Sequence, residues 1–193
     1  MSQKEALFIY TLRLADNALI NGQRLSEWCG HGPILEQDMA LTNIALDFMG
    51  QARSLFQYAA EVEGKGRTED DLAFLRDVWD FRNVLLLEQP NGDFAHTVCR
   101  QFLFDVYNYY FYVELKKSKD QQLAAIAEKS LKEVTYHLRW SSEWMIRLGD
   151  GTELSHDKIQ KALDKLWAFT GELMTTYETD QIVIDAGIAV DLE

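Results

Sequence analysis

The side chains of this chain that could hold a metal ion are its four histidines and a set of acidic residues. A helical bundle that binds two irons takes a glutamate from each of two helices and a Glu-x-x-His pair from each of the other two. In the second predicted long helix, this frame starts at Asp47 and has Gly50 at the histidine position. In the fourth it starts at Glu133 and has Tyr136. Neither frame therefore supplies an imidazole ligand.

The pair formed by Glu133 and His137 leaves a metal site open as an alternative, because residues four apart share one face of a helix. The same spacing is equally typical of an ion pair on the helix surface or of a hydrogen-bonded core histidine. With both frames degraded, polar side chains inside the bundle must hydrogen-bond one another, since burying them unpaired is costly. The sequence thus predicts no catalytic, cofactor-binding or metal-binding residue. It predicts a polar remnant of a metal site, formed by Gln23, Asn43, Asp47, Gly50, Asp105, Glu133, Tyr136 and His137.

Charge and composition exclude several classes of function. The net charge is −12 and no run of lysines and arginines is longer than two, so the chain has no basic surface for nucleic acid. Cys29 and Cys99 lie far apart and have no metal-ligand spacing, which is typical of reduced thiols. Arg13 and Asp16 interrupt the apolar residues near the N-terminus, so neither a signal peptide nor a membrane span is expected. We therefore expect a soluble, cytoplasmic protein that binds no membrane.

The spacing of apolar residues predicts an all-α protein with long helices. Apolar side chains recur at intervals of three, four and seven, the period of a buried helical stripe. The chain has only two prolines, so little interrupts this pattern. Gly30, Gly32 and Pro33 end the first helix, Asp93 is placed to cap the third, and Ser155 is expected to cap a fifth. The predicted long helices cover residues 4–28, 34–63, 93–117, 120–149 and about 155–174.

The connections between these helices predict the topology. Helices one and two form one antiparallel hairpin and helices three and four form another, and a long segment, residues 64–92, joins them. This segment is expected to carry one or two short helices. Two hairpins joined by a single crossover are typical of a ferritin-like four-helix bundle with an additional C-terminal helix. Residues 1–193 are predicted to form one domain, with an extended, β-branched tail after Tyr177.

An aromatic run in the third predicted helix could meet a partner. The run covers more than one face of the helix, which a helix with one solvated side does not need. A large core that uses many aromatics would explain it equally well. If a partner is present, the candidate interface residues are Tyr109, Tyr110, Phe111 and Tyr112.

Four blocks of sequence resemble a known family. They are YTLRLADNALINGQRLSEWCGHGP, LTNIALDFMGQARSLFQYAAE, LLLEQPNGDFAHT and YHLRWSSEWMIRLGDGT, and they occur in the order found in the C subunits of phenylacetyl-CoA epoxidase complexes. The similarity extends from about Tyr10 to Asp191. Members of that family usually continue for one more helical hairpin after the GIAVD segment, so this chain is expected to lack that hairpin.

The resemblance implies a non-catalytic structural subunit that supports a homologous catalytic A subunit. In that family the A subunit holds a di-iron centre and binds phenylacetyl-CoA. A small B subunit and a reductase with FAD and an iron-sulfur centre complete the complex, which epoxidises the ring with O₂ and NADPH. An isolated subunit could also form homo-oligomers. Two other functions stay open: an independent di-iron carboxylate oxygenase, and a helical bundle that binds a CoA ester.

Overall fold

The computed structural model describes residues 1–192, and every regular element in that range is helical. This confirms the predicted all-α class. Four helices are long, four are shorter, and 3-10 turns occur at Val78–Asp80, Trp167–Phe169 and Gly171–Met174. The helices are α1 Gln3–Ser26, α2 Leu35–Glu63, α3 Glu69–Phe74, α4 Leu85–Glu88, α5 Phe94–Leu115, α6 Gln121–Gly149, α7 Glu153–Leu166 and α8 Glu178–Asp185.

The four long helices form a bundle of two hairpins, α1 with α2 and α5 with α6. Helices α2 and α6 are antiparallel: Asp47 contacts His137, while Gln51, one turn later in α2, contacts Glu133, one turn earlier in α6. The crossover between the hairpins carries α3 and α4. The bundle thus has the arrangement expected of a ferritin-like fold.

Helix caps set most of the boundaries, and one of them differs from the prediction. Asp93 caps α5 as expected, with its side chain accepting the backbone N–H of His96 at 3.0 Å. The cap of α7 is Thr152 rather than Ser155, which lies within the first turn and accepts the N–H of Thr152 at 2.9 Å. The prediction was wrong because this first turn is largely solvent-exposed, Leu154 included, so the spacing of buried apolar residues does not indicate it.

The predicted extended tail is also wrong, because the residues after Tyr177 form the helix α8. Arg13 in α1 binds Asp180 at 2.6 Å, and Val183 is fully buried against the bundle. These contacts hold α8 on α1. Tertiary packing has therefore overridden the strand preference of the β-branched residues in this segment.

The crossover is fixed to α1 by buried polar contacts. Asp16 is fully buried and forms a bidentate ion pair with the guanidinium of Arg76. It also accepts the backbone N–H of Arg82 at 2.9 Å, and the next residue, Asn17, accepts the N–H of Val84 at 2.9 Å. Burial raises the pKa of Asp16, although Arg76 acts in the opposite direction. These contacts therefore hold the crossover in a defined position against α1.

The EQPNG sequence, residues 88–92 at the end of the crossover, holds the start of α5 against α1. Arg100 is fully buried and donates to the carbonyl of Gln89 and to Oδ1 of Asn91, both at 2.6 Å. Asn91 in turn donates to the carbonyl of Arg24 at 2.8 Å. These bonds hold the turn before α5 against the end of α1.

Within residues 1–192, no helix is long and apolar enough to span a membrane.

Candidate functional site

A buried carboxylate lies at the centre of the polar interior of the bundle. Asp105 in α5 is fully buried, and it accepts hydrogen bonds from Nε2 of Gln101 at 2.6 Å and from Oγ of Ser141 at 2.8 Å. Oε1 of Gln101 accepts from Nδ2 of Asn21 at 3.1 Å. This chain of hydrogen bonds connects α1, α5 and α6.

A second set of polar contacts connects α2 and α6. Nε2 of His137 lies 2.9 Å from Oδ2 of Asp47, and Nε2 of Gln51 donates to Oε2 of Glu133 at 2.9 Å. Tyr112 in α5 extends the set by donating to Oε1 of Gln51 at 3.4 Å. Each acidic group thus contacts a neutral or basic group on the facing helix.

The interior residues are spaced by four rather than by three. In both α2 and α6 the partner that faces inward follows the acidic residue by four positions. The positions three residues on, Gly50 and Tyr136, are solvent-exposed, with Tyr136 49% accessible. Successive residues of a helix are rotated by about 100°. The frame that starts at Asp47 and the frame that starts at Glu133 therefore place their third residues outside the bundle, and including these two residues in the polar remnant was wrong.

Two further residues expected in the polar interior are exposed. Gln23 in α1 and Asn43 in α2 both face solvent. Their neighbours occupy the buried stripes, since Asn21 and Leu25 are fully buried in α1 and Ile44 is fully buried in α2. Of the predicted set, Asp105 and His137 are fully buried, and Asp47 and Glu133 are partly buried at the edge of the polar interior.

Several residues outside the predicted set complete the interior network. Three of them lie four residues from another polar residue of the network. Gln101 precedes Asp105 by four residues, and Gln51 and Ser141 follow interior polar residues by four. Testing the i, i+4 frame beside the i, i+3 frame would have found them. The missed members are Asn21, Gln51, Gln101, Tyr112 and Ser141.

Burial dominates the electrostatics of this interior. It raises the pKa of Asp105 to about 7, while the charge of His137 and the hydrogen bonds from Ser141 and Gln101 act to lower it. The ring of His137 packs on Phe48 with 4.9 Å between centroids. Its Nδ1 atom is buried and has no hydrogen-bond partner among residues 1–192.

This donor set does not fit a centre of two irons. Within residues 1–192, no three histidine, cysteine, aspartate or glutamate side chains converge closely enough to hold a metal ion. The carboxylates of Asp47, Asp105 and Glu133 instead bind protein donors on the same or facing helices. These hydrogen bonds connect the four long helices to one another.

The candidate interface residues on α5 occupy different environments. Phe111 and Tyr112 are buried, at 5% and 3% accessible, so placing them on a partner surface was wrong. They lie on the face of α5 that also buries Leu115. Tyr109 is partly buried, whereas Tyr110 is 65% accessible. Only Tyr110 of this run presents most of its side chain to solvent.

Tyr110 lines an apolar groove with a volume of about 670 Å³. Its lining also includes Trp167 and Met174, which are 64% and 58% accessible. Leu192, near the end of the chain, also lines the groove. The groove is therefore an exposed apolar surface between α5 and the segment that follows α7.

Comparison with known proteins confirms the resemblance seen in the sequence. The chain matches the family model described as "Phenylacetic acid catabolic protein" over residues 1–193. It is 54% identical over 185 residues to a protein from Escherichia coli (strain K12) that is named as the C subunit of 1,2-phenylacetyl-CoA epoxidase. The alignment covers 96% of this chain and 74% of that protein.

Proposed function

Because the chain belongs to the phenylacetic acid catabolic protein family, we propose that it is a non-catalytic structural subunit of a phenylacetyl-CoA epoxidase complex. The name of its 54% identical relative supports the assignment to such a complex. One observation carries the assignment to a structural subunit: the interior acids contact protein groups across the bundle, in pairs such as Asp47 with His137. In this proposal the complex acts in aerobic phenylacetate degradation.

The proposed partners follow from the family resemblance. A homologous catalytic A subunit supplies the di-iron centre and binds phenylacetyl-CoA. A small B subunit and a reductase with FAD and an iron-sulfur centre deliver electrons from NADPH. The subunit described here supports the fold or the placement of the catalytic subunit and takes no part in the chemistry.

Coexpression tests this proposal directly. We expect the chain to copurify with the catalytic subunit of the same system, and the catalytic subunit to lose epoxidation when the chain is omitted. Copurification that fails at low and at moderate ionic strength would contradict the assignment. Full epoxidation by the other subunits without this chain would contradict it as well.

The alternative is an independent di-iron carboxylate oxygenase. The observation that favours it is the contact between Asp47 and His137, with Glu133 four residues before His137 on the same helix. Iron analysis of the chain purified without chelator separates the two functions. About two irons per chain, with an optical change on exposure to oxygen, would support the oxygenase.

The double variant Glu133→Gln with His137→Gln provides a functional prediction. Glutamine keeps hydrogen-bonding groups at both positions, but it replaces the carboxylate and the imidazole that a metal site requires. We expect the reconstituted complex to epoxidise phenylacetyl-CoA within about threefold of the wild-type rate, because loss of a true ligand group typically costs far more. Complete loss of turnover in a complex that still assembles would support the oxygenase instead.

A second prediction concerns the exposed tyrosine of α5. Tyr110→Asp should weaken binding to the catalytic subunit by ~2 kcal/mol, about a 30-fold rise in Kd, if the groove it lines is part of the interface. The melting temperature of the isolated chain should change little, because Tyr110 is 65% accessible. Tyr136→Asp on α6 is the matched control, since Tyr136 is 49% accessible. Equal binding by wild type and Tyr110→Asp in a calorimetric titration would exclude this surface.

A further inference from the structure

The crossover presents a compact apolar surface that the bundle does not cover. We call it the crossover patch: Phe74, Leu75, Val78 and Trp79. In that order, their accessible fractions are 71%, 77%, 72% and 91%, so Trp79 is the most exposed of the four. Monomeric proteins seldom leave several large apolar side chains exposed together, and such surfaces usually mark interaction sites.

A buried arginine holds this patch in place. Arg76 lies in the middle of the segment and points inward, where it forms the ion pair with the fully buried Asp16. The same guanidinium donates to the carbonyl of Asp80 at 3.2 Å, and Asp77 caps the 3-10 turn that carries Trp79. These contacts therefore fix the backbone that carries the exposed side chains. A fixed backbone lowers the entropy lost on binding, which favours a recognition surface.

The charges around the patch restrict its partner. Asp70, Asp77 and Asp80 are exposed beside the apolar side chains. The exposed arginines nearby are Arg82 and Arg53, and Arg53 is paired with Glu69 at 3.4 Å, so the acids remain in excess. A second copy of this chain would bring the same acids to the contact and a further net charge of −12. Anionic lipid would be repelled in the same way. Electrostatic complementarity thus favours a partner with lysines and arginines around its binding site.

We propose that the crossover patch docks into an apolar pocket, rimmed by lysine and arginine, on another subunit of the complex. This inference rests on the proposed function, since it requires a complex of different subunits. Trp79 is the expected anchor because tryptophan buries a large area and is enriched among the residues that dominate binding energy. The crossover patch and the groove at Tyr110 are different surfaces: the patch lies on the crossover, and the groove lies between α5 and the segment after α7.

Binding to each separately purified subunit of the complex tests the proposal. Trp79→Ala and Leu75→Asp should each raise the Kd for one of these subunits at least tenfold and leave binding to the others unchanged. Leu154→Asp is the matched control for Leu75→Asp, because Leu154 is 67% accessible and lies in the first turn of α7. The control should bind within twofold of wild type. Melting curves should show that all three variants fold.

A further variant tests whether the partner surface is basic. Asp70→Lys should raise the Kd for the same subunit about threefold or more, and added salt should weaken wild-type binding. Tighter binding by Asp70→Lys would mean that the partner surface is acidic and would overturn the proposal.

Other outcomes also separate the inference from the function on which it rests. Binding by Trp79→Ala and Leu75→Asp equal to that of wild type overturns the docking proposal alone. Failure of the wild-type chain to bind any subunit overturns the proposed function as well. If Trp79→Ala instead reduces self-association in sedimentation, or binding to phosphatidylglycerol vesicles, the occupant is a second copy or a membrane and the proposal is wrong.

Discussion

Arg76→Ala is expected to lower the free energy of unfolding by about 3–5 kcal/mol, because it leaves one carboxylate of a buried ion pair without its partner. The side chains of Arg76 and Asp16 are 5% and 0% accessible, so solvent screens this pair little. The variant also frees the crossover, since Arg76 donates to the carbonyls of Leu72 and Asp80. Urea unfolding followed by circular dichroism measures the loss.

The surface pair of Arg139 and Glu143 provides the control. Their side chains are 79% and 47% accessible, so Arg139→Ala should cost less than about 1 kcal/mol. Replacing both members of the buried pair, as in Asp16→Leu with Arg76→Met, should recover much of the lost stability, because no charge is then left unpaired in the interior. A loss for Arg76→Ala as small as that for Arg139→Ala would contradict this account of the crossover.

The sign of the pH dependence gives a further check on Arg76→Ala. Burial already raises the pKa of Asp16, and removing Arg76 removes a group that lowers it. A raised pKa in the folded state means that the fold holds a proton that the unfolded chain releases, so stability falls as pH rises. The deficit of the variant should therefore shrink toward acidic pH, where a protonated Asp16 needs no cation.

The bundle itself could be predicted from the sequence because its signals are local and repeated. Apolar residues at helical spacing run through every long helix, and turn residues such as Gly64 and Asp93 end or begin them. Gly64 adopts φ +71° at the end of α2, a conformation that favours glycine. The order of long and short connections then selects the topology. That residues 1–193 form a single domain stays a prediction.

The α8 helix and the crossover contacts could not be predicted, because distant residues determine them. Asp180 is recognised by Arg13, which lies 167 residues earlier, and Asp16 is recognised by Arg76. No local pattern indicates either pair. The segment after Tyr177 is rich in β-branched residues, so its local preference points away from the helix that tertiary contacts impose.

The candidate site was predicted in part, and the errors have one physical origin. Asp105 and His137 are buried inside the bundle, whereas the i, i+3 frame also predicted interior positions for Gly50 and Tyr136, which are exposed. A helical wheel fixes a residue's direction only to within the width of the buried stripe. For residues at its edge, such as Asn43, the neighbouring helix decides whether the side chain is covered.

Asp105→Asn should make the fold more stable at neutral pH and remove a pH dependence that the wild type shows. Burial raises the pKa of this carboxyl from 3.8 to about 7, so the folded chain keeps a proton that the unfolded chain loses. Below the unfolded pKa the carboxyl is neutral in both states and costs nothing. As pH rises through the folded pKa, stability is lost, in total on the order of 4 kcal/mol. Asparagine carries no charge and can still hydrogen-bond Gln101 and Ser141.

The measurement compares urea unfolding of wild type and Asp105→Asn at several values of pH, so that groups common to both cancel. The wild type should lose roughly 2–3 kcal/mol relative to the variant between about pH 5 and about pH 8, with little further change above that. Asp70→Asn is the control, because it makes the same substitution at an exposed side chain. A constant difference between wild type and Asp105→Asn across this range would mean that the Asp105 carboxyl has the same charge in the folded and unfolded chains. The polar interior would then hold an ionised carboxylate, with the charge of His137 and the donors Gln101 and Ser141 compensating its burial.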